Sequence, residues 1–142
     1  MANSFQCEIV SAEQSIFSGE ISQLVAAGKM GDLGILPGHT PLMSELQPGP
    51  LRVMRENGDE EIYYVTGGFI EVQPKLISVL ADTATRANDL DEVEAEEARK
   101  EALRSINEQH SEMDYSRAAV ELAEAVAQLR TLEQLRRKGG RG

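Results

Sequence analysis

The segment from Gly31 to Leu46, GDLGILPGHTPLMSEL, concentrates residue types that do chemistry in other proteins. It contains three glycines, two prolines and His39, one of the two histidines of the chain. Three interpretations are open at this point. A glycine-rich loop can cradle a phosphate, a histidine can act as a base or a metal ligand, and glycine and proline can simply build turns.

The spacing of these residues argues against the chemical interpretations. A phosphate-binding loop needs G-x-x-x-x-G-K-[ST] between a strand and a helix, whereas Lys29 precedes the glycines and no helical pattern follows. A zinc site needs three or four grouped ligands, but Cys7, His39 and His110 are isolated in the sequence. No nucleophile has a base and an orienting group nearby. We therefore expect no catalytic residue, metal or cofactor, and interpret the segment as a rigid binding surface.

The overall charge of the chain excludes one class of partner. The 142 residues include 14 Lys and Arg against 24 Asp and Glu, a formal net charge of −10. A free-standing nucleic-acid-binding protein usually presents a basic face, so we expect no nucleic acid partner. The start of the chain does not resemble a signal peptide, and no apolar run approaches the roughly 18 residues of a membrane-spanning helix. We expect a soluble protein that reaches a membrane only through a complex.

The sequence changes character near residue 87. Residues 1–86 hold all five prolines and nine of the twelve glycines, and short apolar runs alternate with turns. The Asn57-Gly58 pair predicts a tight hairpin. Closely spaced strands without helices between them predict an antiparallel β-sandwich. The predicted strands are Phe5–Ile9, Ile16–Val25 broken at Gly19, Leu51–Val53, Ile62–Val65, Phe69–Val72 and Leu76–Leu80.

Residues 87–142 predict a helical hairpin that forms a second domain. We expect Asp89 to cap the first helix with Glu92 completing a capping box, and this helix to end near Ile106. After a polar turn, the second helix should run from about Met113 to Lys138. Apolar residues repeat along it at intervals of three and four. They are Tyr115, Ala118, Leu122, Ala125, Leu129 and Leu132. The fold class is therefore α+β, with a sandwich domain at 1–86 and a two-helix domain at 87–142.

Charge is distributed unevenly between the two helices. Residues 87–116 contain three basic and ten acidic residues, whereas residues 117–142 contain six basic and three acidic ones. One interpretation is a pair of solvated faces with compensation of the helix dipole; the other is a basic tip that docks on an acidic partner. Both stay open from the residues alone. The six basic residues are Arg117, Arg130, Arg136, Arg137, Lys138 and Arg141.

Five segments in one order resemble a known family. They are VSAEQSIFSGE (10–20), GDLGILPGHTPLM (31–43), VTGGFIEVQP (65–74), VLADTATRANDLDE (79–92) and AQLRTLEQL (127–135). Together they resemble the epsilon subunits of bacterial F-type ATP synthases over nearly the whole chain. The resemblance implies a β-sandwich followed by a helical hairpin. It also implies a non-catalytic rotor subunit that binds the gamma subunit and the c-ring and couples proton flow to ATP synthesis at the cytoplasmic face of the membrane.

The resemblance also implies which residues make contacts. Asp32 takes the place of an acidic residue that faces the polar loops of the c-ring, and His39 lies close to it in sequence. In the family the hairpin can extend into the catalytic head, made of alpha and beta subunits, and restrain ATP hydrolysis. There it meets an acidic segment of the beta subunits. The residues that would supply the opposing charge are Arg130, Arg136, Arg137 and Lys138.

Two other functions remain open. Some family members sense ATP through a motif that reads roughly [IL]-D-x-x-R-A, and Asp91 takes the place of its acidic residue. Glu94 stands where the motif has arginine, and its carboxylate would repel a triphosphate, so we predict weak or absent ATP binding. A small stand-alone enzyme is disfavoured by the missing catalytic signatures. An ATP hydrolysis assay of the purified chain distinguishes that enzyme from a binding subunit.

Overall fold

The computed structural model describes residues 3–108 and 111–140, with side chains as far as Lys138. His110 and Arg141, which entered the sequence analysis as a ligand candidate and a basic residue, lie outside the described residues. Within them, nine strands precede two helices, α1 (Glu92–Glu108) and α2 (Glu112–Gly140). The strands are β1 (Phe5–Val10), β2 (Ser15–Ile21), β3 (Gln23–Gly28), β4 (Gly31–Ile35), β5 (Leu42–Met54), β6 (Glu60–Val65), β7 (Gly68–Val72), β8 (Leu76–Ala81) and β9 (Ala84–Arg86).

The strands form the predicted sandwich, and one long strand belongs to both of its layers. The first part of β5 pairs with β7, in a layer ordered β2-β1-β8-β7-β5. Its second part pairs with β3 and β6, in a layer that also contains β4 and β9. Neighbouring strands are antiparallel except β1 and β8, which are parallel. The α+β fold class, a β-sandwich followed by a helical hairpin, is confirmed.

The sandwich closes over an aliphatic core. Side chains from both layers meet there, and Ile9, Leu51 and Ile70 are completely buried. The predicted Asn57-Gly58 turn joins β5 to β6, and Gly58 takes the positive φ that such a turn requires. Gly68 begins β7 with a φ of 138°, and a Cβ there would lie 2.0 Å from the Leu80 carbonyl oxygen. Only glycine fits at that position.

Three predicted boundaries are wrong. The Gly31–Leu46 segment is not one loop, because it contains β4 and the start of β5 with a short connection between them. The break between β2 and β3 lies at Ser22 rather than Gly19, since the Ser22 backbone N–H and hydroxyl both donate to the Met54 carbonyl. The cap of α1 is Asp91 rather than Asp89, which belongs to a 3-10 turn at Ala87–Asp89.

The helices form a hairpin that is folded back on the sandwich. The Asp91 carboxylate accepts the Glu94 N–H at 3.1 Å, and the Ser111 hydroxyl accepts the Asp114 N–H at 3.1 Å, so each helix has a side-chain cap. Helix α2 packs against α1 and against strands β5 and β6. The change from strands to helices falls between Arg86 and Ala87. Independent folding of residues 1–86 stays a prediction.

Candidate functional site

The outer face of β5 and β6 carries the contact with α2. Successive residues of a strand face opposite sides, so Tyr63 lies in the sandwich core whereas its neighbours Ile62 and Tyr64 face outwards. Ile62, Tyr64 and, on β3, Ala27 are nevertheless buried. The Tyr64 hydroxyl donates to the Glu124 carbonyl of α2 at 3.4 Å. This sheet face, with Ala27, Ile62 and Tyr64, is the hairpin-docking face.

The helices meet their neighbours mainly through small side chains. Five buried positions of the hairpin are alanines: Ala95, Ala102, Ala118, Ala125 and Ala127. Leu132 and Thr131 are buried beside them, and the Thr131 hydroxyl donates to the Ala127 carbonyl of its own helix at 2.8 Å. The predicted stripe of α2 is therefore partly correct, although Tyr115 at its start is exposed. Alanine allows close approach of helices but buries little apolar area.

Asp32 and Arg130 meet across the docking face. Asp32 on β4 is the cross-strand partner of Ala27, so both residues lie on the side of the sheet that α2 covers. Arg130 Nη2 donates to Asp32 Oδ2 at 2.8 Å, although the residues are 98 positions apart in sequence. Two residues that the sequence analysis assigned to different partners thus form an ion pair with each other.

The other predicted basic residues also have partners within the chain. Arg136 pairs with Glu92 and so joins the end of α2 to the start of α1. Arg137 pairs with Glu133 along α2 at 2.9 Å. The Lys138 ammonium donates to the Glu60 backbone carbonyl at the start of β6. In this folded-back form, each of the four cations assigned to the catalytic head makes an internal contact.

His39 lies in the connection between β4 and β5. Its Nδ1 lies 2.7 Å from the carbonyl oxygen of the next residue, Thr40, and its side chain is exposed. At the β3–β4 turn, the Lys29 ammonium pairs with the Glu45 carboxylate at 2.9 Å. Met30, at the tip of this turn, is almost completely exposed.

Buried ionisable groups have shifted pKa values with clear causes. Burial, reinforced by the Glu8 charge, raises the pKa of the Cys7 thiol to about 12. Burial also raises the pKa of Tyr64, and the Glu124 charge adds to this effect. Burial alone would raise the pKa of Glu61, but the Tyr63 hydroxyl and the charges of Arg55 and Arg86 hold it below its usual value. These shifts reflect packing and ion pairing around the sheets.

An exposed apolar patch on the other layer was missed by the sequence analysis. Phe69 on β7 is directly opposite Leu80 on β8, and Leu80 is opposite Val10 on β1, all on the outward side. Phe69 is 51% exposed, Leu80 57% and Met43, on the adjacent strand, 67%. The sequence did contain a signal, because Leu76–Ala81 is nearly continuous in apolar residues and a half-exposed strand should alternate. Neighbouring exposed apolar side chains of this kind are typical of interaction sites.

The described residues contain no group of three or more His, Cys, Asp or Glu side chains placed to hold a metal ion. No helix in that part of the chain is long and apolar enough to cross a membrane. A sandwich with an exposed apolar patch and a lightly packed hairpin defines a class of protein that works by contact with other chains.

The chain belongs to the ATP synthase delta/epsilon chain family. The β-sandwich domain of that family matches residues 4–87, and its long α-helix domain matches residues 88–133. The chain is 70% identical over 138 residues to the ATP synthase epsilon chain of Chromohalobacter salexigens, covering 97% of this chain and 98% of that protein. The resemblance noted from the sequence is confirmed. The protein is a regulatory or stalk subunit of the ATP synthase rather than a catalytic one.

Two solved structures share the fold at low sequence identity. A chain of the Euglena gracilis mitochondrial ATP synthase superposes with a TM-score of 0.84 at 19% identity, over 89% of this chain and 80% of that one. A chain from the central stalk and c-ring of the Tetrahymena thermophila enzyme gives a TM-score of 0.62 at 13% identity, over 90% and 96% of the two chains.

Proposed function

We propose that this subunit joins the gamma subunit to the c-ring through its sandwich and restrains ATP hydrolysis through its hairpin. One observation carries the proposal: the hairpin is held by an alanine-rich interface and by exposed ion pairs, so a second position of the hairpin is energetically accessible. We place the subunit at the cytoplasmic face of the bacterial membrane.

The gamma subunit docks on the apolar patch of Phe69, Leu80, Val10 and Met43. The patch lies on the layer that the hairpin does not cover, so it stays available whichever position the hairpin takes. Phe69→Ser should weaken binding to purified gamma subunit by at least tenfold, since aromatic residues dominate such interfaces. Val120→Ser is the matched control, because Val120 is 58% exposed on α2, away from the patch. Equal effects of the two changes would contradict the assignment.

Asp32 provides the c-ring contact, with His39 beside it along the chain. Reversal of this charge to lysine is a poor test, because a lysine would also repel Arg130 and loosen the hairpin. Asp32→Asn keeps the shape and removes the charge. It should weaken binding of the full chain to purified c-ring severalfold and leave the melting temperature almost unchanged, as surface substitutions usually do. Unchanged c-ring binding would contradict the contact.

The restraint on hydrolysis comes from α2 when it leaves the sandwich and presents its cations to the catalytic head. Arg130, Arg136, Arg137 and Lys138 then exchange internal partners for an acidic surface. Exposed pairs are individually worth about 0–1 kcal/mol, so this exchange is nearly balanced and several pairs act together. Deletion of residues 113–142 should raise ATP hydrolysis by the assembled enzyme and leave proton-driven synthesis largely intact. Equal hydrolysis rates with and without these residues, under all nucleotide and proton-gradient conditions, would contradict the restraint.

A charge swap separates the restraint from the internal pair of Arg136. Arg136→Glu alone removes the positive charge and also breaks the link to Glu92. Arg136→Glu combined with Glu92→Arg reverses the charge at the tip and keeps an internal pair. Both variants should raise hydrolysis, and the restraint should weaken with added salt. A wild-type hydrolysis rate in the swapped variant would show that the charge at position 136 does not act on the catalytic head.

A further inference from the structure

The Asp32–Arg130 pair is accessible to a partner while the hairpin is docked. The Arg130 side chain is 41% exposed and the Asp32 side chain 51%, so neither group is sealed beneath α2. The pair nevertheless bridges the two parts of the chain, since Asp32 belongs to β4 and Arg130 to α2. The Asp32 carboxylate, which is proposed to contact the c-ring, is therefore already paired with Arg130 of the hairpin.

We propose that Asp32 couples the position of the hairpin to the c-ring contact, because the same carboxylate serves both. The inference rests on the c-ring role proposed above for Asp32. When the polar loops of the c-ring engage Asp32, Arg130 loses its partner and the hairpin is released more readily. When Arg130 holds Asp32, the c-ring binds less tightly. Such coupling is reciprocal by thermodynamic necessity.

The exposure of the pair sets the size of the effect. Exposed pairs contribute about 0–1 kcal/mol, which corresponds to a factor of roughly one to five in an equilibrium constant. The coupling is therefore a bias on the hairpin equilibrium and leaves both positions populated. A modest bias suits a contact that has to form and break repeatedly.

The β3–β4 turn offers a matched control pair. Lys29 and Glu45 form an ion pair of 2.9 Å, and both residues belong to the sandwich. The Glu45 side chain is about as exposed as that of Asp32, whereas the Lys29 side chain is more exposed than that of Arg130. Lys29→Gln therefore removes an ion pair from the same region without touching the hairpin. Arg130→Gln removes a pair of the same kind that does involve the hairpin.

A thiol placed at Thr131 reports the release of the hairpin. Thr131 is completely buried in the docked hairpin, so a Thr131→Cys side chain reacts with a thiol reagent only when the packing around this part of α2 opens. The native Cys7 does not interfere, because it is buried in the sandwich core and its pKa of about 12 keeps it protonated at pH 8. The rate of labelling of full-length Thr131→Cys protein thus measures the opening of the hairpin.

The test adds purified c-ring in detergent micelles to this protein, with empty micelles as the reference. We expect saturating c-ring to raise the labelling rate by roughly two- to fivefold. Arg130→Gln should raise the rate without c-ring and abolish the response to it, whereas Lys29→Gln should leave both unchanged. A labelling rate that does not respond to bound c-ring would overturn the coupling.

The c-ring affinity of Asp32→Asn separates the two proposals. If this change weakens c-ring binding while c-ring leaves labelling unchanged, the coupling is wrong and the c-ring contact stands. If this change leaves c-ring affinity unaltered, the proposed contact fails first, and the coupling fails with it.

Discussion

The core of the sandwich and the interface under the hairpin bury different kinds of side chain. Among the described residues, and leaving glycine and proline aside, the sandwich core contains two alanines in eighteen buried residues, whereas seven of the eleven buried residues outside it are alanines. Large aliphatic side chains contribute about 1.5–3 kcal/mol each when buried, and alanine contributes far less. The same chain thus combines a firmly packed unit with a lightly held one, which is what a fixed contact and a movable contact require.

The largest effect should come from a cavity in the sandwich core. Ile70 is completely buried between the layers, so Ile70→Ala should lower the free energy of unfolding by about 2–5 kcal/mol. Denaturant titration followed by β-type circular dichroism measures this change. A decrease in the free energy of unfolding below about 1 kcal/mol would contradict the view that the sandwich core is packed more firmly than the interface under the hairpin.

Deletion of the whole hairpin should affect the sandwich less than that one substitution. Residues 1–86 should give β-type circular dichroism and a cooperative melt. The free energy of unfolding should fall by at most about 2 kcal/mol, because an element that docks with a small equilibrium constant K stabilises the sandwich by only RT ln(1 + K). Ile62 and Tyr64 become exposed in this fragment, so its solubility is checked by light scattering. A molten product without a cooperative transition would show that the hairpin is part of one folding unit.

Leu132→Ala should act on the hairpin alone. Leu132 is among the few large apolar side chains buried in α2, so its truncation should increase hydrogen exchange of the amides of both helices. Its effect on sandwich unfolding cannot exceed that of deleting the hairpin. The strand amides should keep their protection from hydrogen exchange. If the amides of β7 lost protection together with those of the helices, the sandwich and the hairpin would not be separately stable units.

The smallest effect should come from Tyr64. Its pKa is raised in the docked state, so the neutral phenol favours docking. This contribution is fully present below the ordinary pKa of 10 and is lost as the pH rises through the raised value. Labelling of Thr131→Cys should therefore increase at alkaline pH, with a smaller increase in the Tyr64→Phe background. Identical pH profiles in the two backgrounds would remove Tyr64 from the interface energetics.

The sequence predicted the parts of the fold that local patterns determine. Asn57-Gly58 specified its hairpin, and the periodicity of residues 113–138 specified a long helix. The interpretation of Gly31–Leu46 as a loop was wrong, because glycines and prolines also occur in bent strands. Only the pairing of this segment with β3 and β7 shows that it belongs to the sheets. Local spacing likewise contains no information on a contact such as Asp32 with Arg130, which depends on how α2 lies across the sheet.

The sequence predicted which residues belong to the candidate site but not how they are arranged in space. Asp32 and the cations of α2 were selected through the family resemblance, and their contact roles stay predictions. Their internal pairing could not be predicted, because it requires the hairpin to be folded back. The patch around Phe69 and Leu80 was missed because strand assignment without register does not show which side of a strand faces solvent.

Strand β5 has a mechanical consequence for a subunit that turns with a rotor. Its 13 residues pair with β7 at one end and with β3 and β6 at the other, so one unbroken backbone links both layers. Torque applied to the β7 layer therefore reaches the β6 layer through covalent bonds and not only through side-chain contacts, which slide under shear. The sandwich should twist as one stiff body, and elastic compliance should be concentrated where the backbone leaves the sheet after Arg86.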